Sequence, residues 1–369
     1  MNRRSFLYGS AAALAAAPGE EIRTAMIGVG NRGNGLLGQV LTQTGVKVAA
    51  VCDTDPQARD RAASRAARDN PKVLTDYREV LNLKDVEAVV VATPCDLHAE
   101  MAAAALDAGK YVYCEKPVGI TPEQVDRVLR AARKAKTFLQ IGQQLRYFPG
   151  LRDALRQIHQ EGILGQVFVV KAQRHSTPPR PDAALRDRPA WYDDVRRSGD
   201  LIVENAVHNI DVCNWIIQGH PKSAYGHGKK YLPKPIPAGT VMMDGFSVAY
   251  QYDNGSYLDY TQLYLHPSAL KALANGQWYV IFGEKGAVHL THEDAVFYPN
   301  HAEPRPMLTP DLKAARENAM ADFYACIREK RTPFADIRVA AIAALTAILG
   351  REAIYRGRSV EWKELGVTV

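Results

Sequence analysis

The sequence predicts an α/β chain in which a doubly wound parallel sheet is followed by an α+β domain carrying a large, mainly antiparallel open sheet. Three observations predict it. From Ile22 to about Ile141, short β-branched runs alternate with helical stretches, the pattern of a parallel sheet with crossover helices. Beyond Arg146 the strands mostly follow one another through turns such as Asp253-Asn254-Gly255 and Glu284-Lys285-Gly286. A length of 369 residues, 47% hydrophobic and 23% charged, suffices for two domains of ordinary globular composition.

At the start, Met1-Asn2-Arg3-Arg4-Ser5-Phe6-Leu7 and the small apolar stretch through Ala17 have the parts of a twin-arginine export signal. These are a charged head, an apolar middle and the Ala15-Ala16-Ala17 end. Residues 1–20 are expected to be that leader, which puts the folded protein in the periplasm or outside the cell. As a plain N-terminal tag, the segment would leave it in the cytoplasm. Residues 21–145 are expected to form the first domain and 146–369 the second.

The strands of the first domain read Ile22 to Ile27, Val46 to Cys52, Val86 to Ala92, Tyr111 to Tyr113 and Thr137 to Ile141. Helical stretches lie between them, and Gly109 and Thr121-Pro122 mark a helix end and a helix start. Ligands of such sheets sit outside the carboxyl ends of the strands. Thr93-Pro94, Glu115-Lys116-Pro117 and Gly142-Gln143-Gln144 all fall there. So does the turn Gly28-Val29-Gly30-Asn31-Arg32-Gly33, whose glycines have G-x-G-x-x-G spacing. The first permits the tight turn, the second lets backbone approach a pyrophosphate, and the third lets helix and strand pack closely. Twenty residues after Gly33, at the end of the second strand, Asp53 is placed to reach the ribose hydroxyls of NAD. NAD is expected over NADP because Asp53 would repel a 2′-phosphate, while Arg59 and Arg61 keep NADP open.

In the second domain a helix from Gly150 to Glu161 precedes strands at Val167 to Ala172, Lys222 to Tyr231, Val241 to Tyr252, Ser256 to Leu265, Trp278 to Phe282, Ala287 to Thr291 and Ala295 to Tyr298. A helix from about Asn205 to Gln218 lies beside that sheet, and helices from Pro310 to Arg328 and Asp336 to Arg356 close the chain. The stretch from Ser176 to Gly199 has no clear pattern, a length compact domains reserve for functional loops. It carries Arg180, Arg186, Arg188, Arg196 and Arg197 with Trp191 and Tyr192. Guanidinium forks suit sugar hydroxyls and aromatic rings suit a sugar's C–H face, so the loop is a candidate lid over a carbohydrate. A solvated lid with Trp191 used for packing is the other reading.

Just after the loop, Glu204, His208 and Asp211 share one face if the segment is helical. A carboxylate one turn from an imidazole orients it and raises its basicity, which suits a general base. Lys116 leaves a parallel strand beside the expected nicotinamide and is the second candidate. Arg146, Tyr147, Trp191, Tyr192 and Asp211 are the candidate substrate contacts. The net charge of +6 is dispersed, with no basic stripe for nucleic acid, and no run reaches the ~18 apolar residues of a membrane span. Cys52, Cys95, Cys114, Cys213 and Cys326 form no C-x-x-C pair, so neither a disulfide framework nor a metal site is expected.

Gly28-Val29-Gly30-Asn31-Arg32-Gly33, Ala92-Thr93-Pro94 with His98, Glu115-Lys116-Pro117, and Gly199-Asp200 followed by Glu204 and His208 resemble the glucose-fructose oxidoreductase, inositol dehydrogenase and MocA (Gfo/Idh/MocA) family. The resemblance covers the chain after the leader. It implies a Rossmann domain, a C-terminal domain whose open sheet forms homo-oligomer contacts, and NAD- or NADP-linked oxidation of sugars or cyclitols. It also implies that Lys116 and His208 belong to the catalytic set, with Glu204 where many members have aspartate, and that Pro117 follows a cis peptide. Ser198-Gly199 departs from the usual Gly-Gly pair. Within that frame, Thr93, Pro94, His98 and Glu115 join the glycine turn and Asp53 as cofactor-site residues. Two alternatives stay open: a glycoside hydrolase that recycles bound NAD through transient C3 oxidation, and a non-catalytic nucleotide sensor. An exported enzyme has no steady supply of NAD, so the cofactor is expected to stay bound between turnovers.

Overall fold

The computed structural model describes residues 21–177, 189–232, 242–267, 269–270 and 276–369. The expected leader and Arg180, Arg186 and Arg188 lie outside them.

Six parallel strands form the first sheet: β1 (Ile22–Ile27), β2 (Val46–Cys52), β3 (Lys72–Leu74), β4 (Ala88–Val91), β5 (Tyr111–Cys114) and β6 (Leu139–Ile141). Their order is β3-β2-β1-β4-β5-β6, so the winding reverses between β1 and β4 and leaves a crevice at their carboxyl ends. All of β4 is buried, as central parallel strands covered on both faces must be. The crossover helices are α1 (Asn31–Leu41), α2 (Pro56–Arg65), α3 (Tyr77–Leu81), α4 (Cys95–Asp107) and α5 (Pro122–Lys134). Strand β3 is absent from the sequence reading. It is a three-residue edge strand with Val73 48% exposed, so it carries no apolar run to betray it.

After α6 (Pro149–His159), β7 (Val167–His175) begins the second sheet. Four helices, α7 (Ala190–Asp193), α8 (Val195–Ser198), α9 (Leu201–Glu204) and α10 (Val207–Ile217), separate it from β8 (Pro221–Lys229). The sheet continues with β9 (Gly245–Tyr252), β10 (Tyr257–Leu263), β11 (Gly276–Gly283), β12 (Gly286–Leu290), β13 (Ala295–Pro299), β14 (Arg305–Pro306) and β15 (Val360–Glu361). Its order is β14-β13-β12-β11-β7-β10-β9-β8-β15, antiparallel except where β7 runs parallel to β10. Alternation decides its faces. Phe246, Val248, Tyr250 and Tyr252 of β9 are buried, while Ser247, Ala249 and Gln251 face out.

The inner face packs on α10 and on α13 (Ile337–Arg356). Helix α13 is apolar and alanine-rich around most of its girth because it is also covered on its other side, by α5 and β6. Gly350 permits the closest approach, since a Cβ there would lie 2.1 Å from the Tyr250 hydroxyl.

The end of the chain packs back against the first sheet. The single helix expected over Pro310 to Arg328 is two, α11 (Pro310–Ala314) and α12 (Ala319–Glu329), because the chain is extended at Ala315 and the Glu317 carboxylate caps the Ala319 N–H. The second piece returns to the first domain. Tyr324 donates to the Thr24 hydroxyl at 3.0 Å, Gln140 of β6 to the Ala319 carbonyl at 2.8 Å, and the Ile141 N–H to the Ala335 carbonyl at 2.9 Å. Among the described residues no helix is long and apolar enough to cross a membrane.

Candidate functional site

The crevice between β1 and β4 opens into a cleft of about 1050 Å³ lined by both domains. Its floor is the glycine turn. Gly28 has φ +85°, and a Cβ there would meet the Ala92 carbonyl oxygen at 2.6 Å. At Gly33 a Cβ would lie 2.0 Å from the Gly28 oxygen, so only glycine lets α1 start so close to β1. Gly30 differs: its backbone is extended and a Cβ would meet nothing within 4 Å. The open ground lies at the N-terminus of α1, which has no side-chain cap and begins with Asn31 and Arg32 facing the cleft. Backbone N–H groups without internal partners and the helix dipole make this a seat for a pyrophosphate.

Asp53 closes one side. One carboxylate oxygen accepts from the Val29 N–H at 2.8 Å and the other from the Asp55 N–H at 3.0 Å, which fixes an anion beside the turn. Arg59 is turned to the Asp53 carbonyl at 2.7 Å, while Arg61 lines the cleft. On the other side Arg32 binds the Glu115 carboxylate through Nε at 2.8 Å and Nη2 at 2.7 Å. Thr93 and Pro94 follow β4 into the cleft wall. His98 is buried behind them, its ring nitrogens 2.7 Å from the Pro117 oxygen and 2.8 Å from the Thr93 oxygen, tying the ends of β4 and β5 together. The Lys116–Pro117 peptide is cis.

These residues fit a dinucleotide, and one substitution separates cofactor contact from scaffold. Gly30→Val is expected to leave the melting temperature unchanged, because the space is free, and to weaken NAD binding about 100-fold by calorimetry, because that space is the pyrophosphate's. Equal losses of stability and affinity would make Gly30 a packing residue instead.

The candidate catalytic residues lie where α9 meets the end of β5. Lys116 Nζ donates to the Glu204 carbonyl at 2.6 Å and to Glu204 Oε1 at 2.8 Å, both groups largely buried. Burial alone would lower the lysine pKa, but the Glu204 charge outweighs it and the net direction is up. Burial likewise pushes Glu204 up, and Lys116, with the Tyr192 hydroxyl, more than reverses it. The pair is therefore ionic. His208 has its pKa well below the usual histidine range, first by burial and then by the charges of Lys116, Arg174 and Arg32. Its imidazole is neutral.

One expectation is corrected here. Glu204 does not orient His208: α9 ends at Glu204, residues 205–206 form a turn, and α10 starts at Val207, so the four-residue spacing crosses a break. The carboxylate goes to Lys116, and His208 Nδ1 is buried without a hydrogen-bond partner.

Of the candidate substrate contacts, Trp191 and Tyr192 line the cleft from α7. Arg146, Tyr147 and Asp211 do not. Arg146 binds Asp211 through two parallel hydrogen bonds, 2.7 and 2.9 Å, and lies over the Trp215 ring. Tyr147 is fully buried and accepts from the Ala335 N–H at 3.1 Å. A buried cation needs a buried anion, and these two residues supply each other. Two contacts escaped the sequence reading. Arg197 reaches Asp96 at 3.1 Å and ties the loop to α4, and Arg174 donates to the Asn205 carbonyl at 3.4 Å, its charge acting on His208. Arg174 looks like any strand residue in sequence. Among the described residues no three His, Cys, Asp or Glu side chains gather to hold a metal, and all five cysteines are free and buried.

Fold and cleft define a Rossmann dinucleotide-binding protein with a second, sheet-built domain beside the cofactor crevice. A family model described as an oxidoreductase family with an NAD-binding Rossmann fold matches residues 22–143, and one described as the GFO/IDH/MocA C-terminal domain matches 153–289. Together they take in more than half of the chain, which belongs to the GFO/IDH/MocA family. The chain is 30% identical over 236 residues to inositol 2-dehydrogenase of Salmonella typhimurium, a match spanning 63% of this chain and 65% of that enzyme. It is 33% identical over 190 residues to a glycosyl hydrolase family 109 protein of Stenotrophomonas maltophilia, covering 47% of this chain and 42% of the relative. The same fold occurs in the WlbA dehydrogenase of Chromobacterium violaceum, solved with NADH and UDP-GlcNAcA, with TM-score 0.80, 23% identity and coverage of 94% and 97%.

Proposed function

We propose that the protein is an NAD-dependent oxidoreductase that interconverts a hydroxyl and a keto group on a sugar, glycoside or cyclitol. The observation that carries this is the Lys116–Glu204 ion pair, 2.8 Å long and largely buried, set in the wall of the cofactor cleft just beyond the carboxyl end of β5. Bound NAD would supply the hydride acceptor. Lys116 binds the substrate oxygen and stabilises the negative charge that grows on it; neutral His208 takes the hydroxyl proton. Glu204 acts on Lys116, keeping the ammonium in place. Trp191 and Tyr192 face the sugar ring. Asp53 favours NAD, and tighter binding of NADP would reverse that preference.

Mass spectrometry of the denatured, as-purified protein, followed by assay of NADH formation on a panel of cyclitols, aldoses and sugar acids, tests the reading. Turnover of any of these with NAD supports it; no NAD binding and no turnover sinks it. The glycosyl hydrolase relative favours a second reading, net glycoside cleavage with bound NAD recycled in place. A chromogenic glycoside without added NAD separates the two, since aglycone release without accumulating NADH belongs to the hydrolase.

Export of the folded protein through the leader goes with a cofactor that survives extensive washing. Self-association uses the outer face of the second sheet, where Tyr257, Phe282 and Tyr298, all 40–43% exposed, share one rung across β10, β7, β11, β12 and β13.

A further inference from the structure

Asp200 is the residue of the described chain whose backbone and side chain are hardest to reconcile. Its φ of 77° and ψ of 166° lie in a region essentially confined to glycine, yet it carries a carboxylate and is 1% exposed. Such a conformation persists only where the surroundings over-determine it. Here three donors from three parts of the fold do so. Asp200 Oδ1 accepts from its neighbour Leu201 N–H at 2.6 Å and from the Met243 N–H at 2.8 Å, and Oδ2 accepts from the Tyr355 hydroxyl of α13 at 2.6 Å. The Asp200 carbonyl in turn accepts from the N–H groups of Val203 at 3.0 Å and Glu204 at 2.8 Å, so its orientation sets the course of α9.

We propose that Asp200 is a positioning residue for Lys116: its side chain locks a glycine-like turn that delivers the Glu204 carbonyl and carboxylate together to the lysine ammonium. The backbone matters as much as the acid, because Lys116 Nζ takes both the main-chain oxygen and Oε1 of the same residue. A shift of α9 would lose both bonds at once. The same turn opens α9, the helix that ends at Glu204, whose Oε1 is turned to Lys116. The inference rests on Lys116 acting in the proposed reaction, but the geometry it asserts can be read without turnover.

The test uses the full chain and acetylation by acetic anhydride, with the rate at each lysine followed by mass spectrometry. Lys363, 82% exposed and paired with Glu361 at the surface, is the reference for labelling at a solvent-exposed amine. Lys110, buried at the opposite end of β5 and bonded to the Leu83 and Val86 carbonyls, reports general loosening. In Asp200→Gly the backbone conformation remains allowed while the three side-chain bonds are gone. Lys116 is expected to be labelled about tenfold faster relative to Lys110, and kcat to fall about 10- to 100-fold with NAD affinity preserved. Asp200→Asn, which keeps a side-chain oxygen, should restore part of both, and Tyr355→Phe, which removes one donor at a partly exposed site, should move both in the same direction by less.

Unchanged Lys116 labelling in folded Asp200→Gly overturns the proposal, as does an equal rise at Lys110. If that variant does not fold, Asp200→Asn and Tyr355→Phe decide by the same ratio. Absence of turnover in the wild-type protein would sink the functional reading while leaving the labelling result to stand or fall by itself.

Discussion

Lys116→Met is expected to lower kcat about 10²–10³-fold, the loss seen when one group that stabilises developing oxyanion charge is removed, with a much smaller change in NAD affinity. The ammonium is held by two short bonds to one residue, the Glu204 carbonyl and carboxylate. Its pKa is raised, so it stays charged through the pH range of the assay. The single variant leaves Glu204 buried without its cation, and that carboxylate then costs stability whatever happens to catalysis. Lys116→Met with Glu204→Gln removes both charges and is expected to recover much of the melting temperature but none of the activity. Steady-state kinetics with calorimetric NAD titration and thermal melts on both variants make the distinction. Recovery of kcat in the double variant would mean that Lys116 only neutralises Glu204, and the role assigned to it in the reaction would go.

What the sequence made legible were features whose parts are close together. Gly28, Gly30 and Gly33 lie within one turn, and each glycine plays a separate steric part: positive φ, open ground, tight packing. Asp53 was legible because a parallel sheet places the end of its second strand beside the end of its first. Lys116 was found at a strand end by the same logic.

The misses are pairings over long separations. Glu204 and Lys116 are 88 residues apart, and Arg146 and Asp211 are 65 apart. Helical periodicity put Glu204, His208 and Asp211 on one face because it assumes an unbroken helix, and nothing in residues 204–208 announces the turn at 205–206. At the start of α9, Asp200 has a backbone conformation that no propensity anticipates for an aspartate. Helix α12 packs against the first sheet although it lies far along the chain. Its apolar face reads as a core helix, and only the fold tells which core it joins.

His208 gives the sharpest test of the proton path, because its neutrality has consequences for stability as well as for rate. His208→Asn is expected to lower kcat about 10²–10⁴-fold while sparing NAD binding, the range expected for loss of a positioned proton acceptor. Below the ordinary histidine pKa of about 6.5 the unfolded chain takes up a proton that the folded chain refuses. The stability contributed by keeping His208 neutral is thus complete above that pH and is lost as pH falls toward the lowered folded value, at about 1.4 kcal/mol per pH unit. Buried His98, whose pKa is also lowered by burial, adds to the slope with the same sign. Glu204, held below the usual carboxylate range, adds again at more acid pH. Urea denaturation of wild type and His208→Asn across the interval below about pH 6.5 isolates the first contribution, since the variant lacks one titrating imidazole. The wild-type curve should fall more steeply with acidity than that of the variant, while its kcat/KM stays level until well below the ordinary histidine range. Identical stability slopes would mean that His208 takes up its proton as readily in the folded protein as in the unfolded chain, so that kcat/KM would fall below about pH 6.5. A protonated imidazole cannot accept the hydroxyl proton, and Lys116, held cationic by Glu204, cannot take its place.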